Sequence, residues 1–268
     1  MEAGRALELQ VAILGDSPNV AQQGRALESL AAGRRVPHAS RPHMIQALPD
    51  RVPAGDMPAS VEGRPVVGLS DETFQPLPLE PASSVLVWGG PGTGRTNAMR
   101  WLATSVSRWN PEIPLVHLTP VPSALASLDL WGQSATGPDA VAELLGRINP
   151  MFGRPTPDGQ PVGVVFVEGL GGFVRSSAND ALLMLVRSCR ENGHLVVVEC
   201  EAGTWQNSWE ISSELRAGRT GLMLQPEWGD LDILRGTVPR FKKGEQPPGR
   251  GIWIQGGKAT KVQVPLVG

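Results

Sequence analysis

The feature that most restricts this chain is an eight-residue turn, Gly89-Gly90-Pro91-Gly92-Thr93-Gly94-Arg95-Thr96, set directly between a short β-rich run, SSVLVWG, and a helical pattern, TNAMRWLATSVSRW. It fits G-x-x-x-x-G-K-[ST] at every position except the lysine, and it has the strand before and helix after that the motif requires. Glycines at these places let successive N–H groups turn inward around phosphate oxygens, while the helix N-terminus adds the positive end of its dipole. The candidate nucleotide-binding residues are therefore Gly89, Gly90, Pro91, Gly92, Thr93, Gly94, Arg95 and Thr96, with Asn97 in the first helical turn. The Thr96 hydroxyl would reach Mg²⁺. Arg95 retains the lysine's charge but not its compact point geometry, because a guanidinium is a longer planar fork. Without a ligand, the same residues would make a glycine-rich strand-to-helix turn.

Beyond the loop, apolar runs alternate with helical patterns. Strands are predicted at Ile113–Thr119, Val162–Leu170, His194–Glu201, Gly221–Pro226 and Gly251–Gln255, and helices at Gly137–Ile148 and Ala178–Glu191. Buried runs of Val, Leu and Ile interleaved with helices predict an α/β fold, a mostly parallel sheet covered on both faces. Nine prolines between Val36 and Pro81 keep that region extended and block helix formation, so it reads as a connector. Within it, alternation at Val66, Val67, Leu69 and Phe74 is suited to edge strands. Upstream, Leu7, Leu9, Val11 and Ile13 alternate like a strand and Val20–Leu30 is helical. GRALELQVAIL at Gly4–Leu14 is a shortened likeness of GRGIWIQGGKATKVQVPLV at Gly249–Val267, which suggests that the chain opens with the closing strand of a similar upstream module. A chance match of two amphipathic strands is the alternative.

Phosphate chemistry needs a second group. The strand Val164-Val165-Phe166-Val167 ends in Glu168, which can hold Mg²⁺ through water, and the next residue is Gly169, where a second carboxylate would activate water. Losing a positioned general base costs about 10²–10⁴ in rate, so binding without turnover is the expectation. Ligands in open α/β sheets sit beyond the carboxyl ends of the strands, so Thr119 and the Glu199–Glu201 segment should face the same crevice, whether as site residues or as ordinary strand-end polar groups. Arg216 and Arg219 are loop arginines that could reach a neighbouring module's nucleotide or simply face solvent.

Composition excludes some classes. With 24 Lys+Arg against 26 Asp+Glu the chain has no basic field for non-specific nucleic-acid binding. No run approaches the length of about 20 apolar residues that spans a bilayer, and the start lacks a secretory apolar region, so a soluble chain on the cytoplasmic side is expected. Cys189 and Cys200 lie in apolar runs and read as buried thiols.

The segments VLVWGGPGTGRTNAMRWLA, LLMLVRSCRENGHLVVVECEAGTWQNSWEI, RAGRTGLMLQP and PPGRGIWIQGGKATKVQVPL together resemble the FtsK/SpoIIIE-type ATPase modules of EccC, the motor protein of type VII (ESX) secretion systems. The resemblance covers roughly Val52 to Gly268 and implies a P-loop, RecA-like ATPase domain at 52–268, with 1–51 as tail and connector of a preceding module. It implies ATP or ADP as ligand with Mg²⁺ possible, partner modules in the same polypeptide, and a membrane anchor elsewhere in the full protein. Later modules of that family are often degenerate, and Arg95, Glu168 and Gly169 match that pattern. The resemblance further implies docking of secreted substrates through helical C-terminal signals. The Trp-bearing segment Thr204–Ile211, with Trp205 and Trp209, is the candidate wall of such a groove unless it belongs to the core. Two other readings compete: an active hydrolase powering translocation, and a DNA translocase module, which would call for a basic face.

Overall fold

The computed structural model describes residues 13–14, 17–32, 47–81, 84–157, 160–207, 209–226, 230, 233–234 and 246–268. The chain divides into two compact units, Met1–Gln46 and Ala47–Gly268. In the first, helix α1 (Val20–Ala31) starts at Asn19, whose side chain accepts from the N–H groups of Ala21 and Gln22, and none of its residues is buried. The strand expected at Leu7–Ile13, and with it the proposed repeat, lies mostly outside the described residues.

The second unit is built on one sheet. Among the described residues it has ten strands in the order β2-β1-β10-β9-β8-β3-β7-β6-β4-β5. The strands are β1 (Val66–Ser70), β2 (Pro76–Pro78), β3 (Ser84–Gly89), β4 (Leu115–Thr119), β5 (Gln133–Thr136), β6 (Val164–Val167), β7 (Leu195–Glu201), β8 (Thr220–Leu224), β9 (Arg250–Gln255) and β10 (Lys258–Gln263). From β8 to β5 neighbouring strands are parallel, and from β8 to β2 they are antiparallel. Helices α2 (Arg95–Trp109), α3 (Pro138–Phe152), α4 (Asn179–Asn192) and α5 (Trp209–Gly218) connect the parallel strands.

Alternation along the strands assigns each residue to a face. Val85, Val87, Val197 and Phe166 share one apolar cluster with Met99, Trp101, Leu102 and Val106 of α2. Leu86, Trp88, Val196, Val198 and Val167 share the other with α3, α4 and α5. The continuous Val/Leu/Ile character of β3, β6 and β7 follows, since each strand is buried on both sides. Cys189 and Cys200 are buried in the second cluster, and burial pushes the Cys189 thiol far above its ordinary range.

The sequence placed Gly251–Gln255 among buried strands of a parallel sheet. In the structure β9 runs antiparallel to β8, and a two-residue turn at Gly256 and Gly257, both with positive φ, returns the chain as β10. β5 escaped notice because three of its four residues are exposed and it has no apolar run. At the opposite edge β2 carries Pro76 and Pro78, each lacking an N–H donor, which suits a terminal strand.

The proline-rich segment from residue 47 onward is welded to α2. Ser105 Oγ accepts from Val66 N at 2.6 Å, Trp101 Nε1 donates to Val67 O at 2.9 Å, Trp109 Nε1 donates to Gly63 O at 2.7 Å, and Arg108 donates to Ala54 O and Met57 O. Ser105 is 1% exposed, so Ser105→Ala should strand a buried N–H and lower stability by about 1–3 kcal/mol in urea unfolding. A loss below about 0.3 kcal/mol would mean that the Ser105 bond adds nothing to the attachment of the 47–81 segment.

Candidate functional site

The glycine turn leaves β3 at the carboxyl edge of the parallel strands and ends where α2 begins. Gly92 (φ 75°) and Gly94 (φ 103°) hold left-handed backbone that lets the chain curl before the helix. At two points space forbids a side chain. A Cβ on Gly89 would come within 2.6 Å of Thr93 Oγ1, and one on Gly94 within 2.8 Å of Gly249 N. Thr93, itself buried, donates from its hydroxyl to Gly90 O at 2.8 Å and accepts Gly249 N–H at its carbonyl at 2.9 Å. The Pro247-Pro248-Gly249-Arg250 turn thus clamps the loop from outside. Arg250 ties that turn down by donating to Gln263 Oε1 and to Leu48 O and Pro49 O.

α2 opens without a side-chain cap, so its first N–H groups face the loop. A cavity of about 450 Å³ lies there, lined by Gly92, Gly94, Arg95, Thr96, Asn97, Met99, Leu125, Glu168 and Glu199. A second of about 450 Å³ adjoins it, sharing Gly94 and Asn97 and floored by Pro247, Pro248, Val264 and Leu266. Gly89, Gly90 and Pro91 shape the turn but do not line either cavity. Asn97 is committed elsewhere, its side chain donating to Pro265 O and accepting from Val267 N.

Strand parity explains which side chains meet α2. Glu168 follows Phe166 by two residues, Glu199 and Glu201 follow Val197 by two and four, and His117 follows Leu115 by two, all on the α2 face. Arg95, at the first helical position, ion-pairs there with Glu199 through Nη1 and with Glu201 through Nη2 at 3.1 Å. Glu199 is largely buried, and its Oε2 accepts Gly169 N–H at 2.7 Å. Glu168 Oε2 accepts from Ser123 Oγ at 2.5 Å and lies 3.1 Å from Nε2 of the fully buried His117. The His117 ring stacks on Trp131 at 4.9 Å. Burial raises the Glu168 carboxyl, but hydrogen bonds from His117 and Ser123 and the charges of His117 and Arg95 outweigh it and hold the group below its ordinary value.

Glu199, which the sequence left open as a plain strand-end acid, is a central group of the site. Adjacent register of β6 and β7 brings it level with Glu168, where the sequence showed only Gly169. Gly169 has a structural part of its own. Its φ of 64° aims its N–H at Glu199, and a side chain there would press on Pro120 at 3.2 Å. Counting in twos from the apolar residues of β4 and β7 would have flagged His117, Glu199 and Glu201 together. Thr119 donates to Val121 O and serves the turn after β4. Arg219 sits just before β8, at the amino ends of the strands, with its guanidinium against Gly257; Arg216 buries its Nε in the last turns of α5. Neither belongs to the loop's edge. Trp205 is 6% exposed and part of the core, which removes it as a groove wall, and the side chain of Trp209 lies outside the description. Among the described residues no group of three or more His, Cys, Asp or Glu could hold a metal ion, and no helix is long and apolar enough to cross a membrane.

No family model and no curated protein sequence matches the chain. Solved structures do. The cytoplasmic domain of EssC superposes with a TM-score of 0.67 at 19% identity, covering 99% of this chain and 58% of that one. EssC (ATPases 2 and 3) from Geobacillus thermodenitrificans gives 0.67 at 20%, covering 94% and 52%. Thermomonospora curvata EccC (ATPases 2 and 3) in complex with a signal sequence peptide gives 0.65 at 19%, covering 92% and 47%. The chain therefore shares the fold of type VII secretion ATPase domains and spans about half the length of these structures.

Because Glu168 is held below the usual carboxylate value of 4.5, its charged form stabilises the fold above that pH, and the contribution fades as acid protonates it. Glu168→Gln should lower the melting temperature by about 3–6 °C at pH 7, with the gap closing toward pH 3 in a calorimetric series. A gap that stayed constant across the series would show that the carboxylate's charge is not what His117 and Ser123 stabilise.

Proposed function

We propose that this chain is a nucleotide-binding FtsK/SpoIIIE-type module of a type VII secretion ATPase, with little or no hydrolysis, acting in assembly or regulation of the motor. The observation that carries the reading is the glycine loop opening onto the uncapped N-terminus of α2, beside a cavity shared with Thr96 and Glu168. That is an anion site with a carboxylate and a hydroxyl in reach, in a fold shared with secretion ATPase domains. In this reading the polar cavity, with Gly92, Gly94 and the start of α2 in its wall, would take the phosphates of ATP or ADP, and the adjoining cavity over Pro247 and Pro248 would take the base. Mg²⁺, when bound, would neutralise phosphate charge. Thr96 and Glu168 would hold it, since this ion keeps several waters and needs only one or two protein ligands.

Weak turnover follows from the acids. Gly169 stands where a second carboxylate would activate water, and Glu168, whose Oε2 already accepts from Ser123 and lies against His117, would be engaged by the metal. Residues 52–268 form the ATPase domain in this reading and 1–51 the tail and connector of a preceding module. Such modules are the expected partners in the same polypeptide. A helical secretion signal is a further expected partner, by analogy with the peptide bound to Thermomonospora curvata EccC.

Nucleotide released from freshly purified, denatured protein, together with a steady-state phosphate assay, tests the reading. ATP or ADP should be bound or should bind on titration, with turnover far below the roughly 1–100 s⁻¹ of kinases. Turnover within that range would establish an active hydrolase instead.

A further inference from the structure

We propose that Arg95, Glu199 and Glu201 form an internal latch that sets the nucleotide affinity of the loop. In the free chain the two carboxylates hold the guanidinium. In the bound state phosphate oxygens take it, so ligand and carboxylates compete for one cation. The proposal rests on the nucleotide reading above and adds how that site is regulated.

Three observations support competition over simple neutralisation. Arg95 is the first residue of α2, where an anion on the helix N-terminus would lie, and its side chain is only 18% exposed. Glu199 is fixed before any ligand arrives, because Gly169 N–H holds its Oε2 and leaves Oε1 for the arginine. The geometry also suits an arginine: its planar fork bridges Glu199 with one nitrogen and Glu201 with the other, whereas an ammonium would have to reach both from a single nitrogen. The departure from lysine therefore has a structural use. While the latch is closed, the charge of Arg95 is already shared by Glu199 and Glu201, so an incoming phosphate must displace carboxylates to reach it.

Titration of the full chain with a fluorescent ADP analogue plus Mg²⁺ tests the latch, with circular dichroism to verify folding. Glu199→Gln keeps an acceptor for Gly169 N–H and should tighten binding roughly ten- to a hundredfold, the factor expected when a charge-assisted bond is released. Glu201→Gln, on a half-exposed side chain that tolerates change, should tighten it by a smaller factor of about two to ten. Arg95→Ala should weaken binding, and adding Glu199→Gln to it should bring no further gain. An equal gain with and without Arg95 would assign the effect to the general field and overturn the latch. So would equal affinity of wild type, Glu199→Gln and Glu201→Gln, with the nucleotide reading left standing. Absence of binding to wild type and to every variant would overturn both.

Discussion

The side chains of the loop's edge converge because parallel strands are buried on both faces. Once α2 covers one face and α3 to α5 the other, every second residue of β4, β6 and β7 is committed to the α2 side. The last residues of those strands then emerge beside the start of α2. His117, Glu168, Glu199 and Glu201 are placed by this parity and need no local signal of their own. The same packing delivers Arg95, the first residue of the helix, to the acids.

The loop's shape depends on a second, more distant constraint. The turn at Pro248 and Gly249 comes more than 150 residues later, yet its N–H bonds Thr93 O and its backbone leaves no room for a side chain at Gly94. β10 helps to hold that turn, because Gln263 bonds both Arg250 and Pro248 O and Val264 N–H donates to Gly249 O. The antiparallel half of the sheet is thus the frame for the glycine loop, and the segment from residue 47 braces it from outside through Arg250 and α2.

Electrostatically the site is paired internally. Its cation is satisfied by two carboxylates, and its third carboxylate by a histidine and a serine. Buried or half-buried charges are costly unless partnered, so this pairing lets the cluster persist in the folded chain without a ligand.

The amino-acid sequence by itself determined the local features: the glycine loop, the buried strands at β3, β4, β6 and β7, the helices α2 to α4, and the acid ending β6. Each rests on short-range physics, namely glycine's freedom at positive φ, apolar runs, and helical periodicity. Resemblance in the PPGRG and VQVPL segments pointed to the fold that the solved structures share. What only the tertiary structure decided is which polar groups pair. Arg95 and Glu199 are separated by 104 positions, and the sequence holds no local trace of their bond. The meaning of Gly169 changed for the same reason, because the group that uses its N–H comes from the neighbouring strand. Strand order and register bring such residues together, and these are set by the packing of the whole sheet.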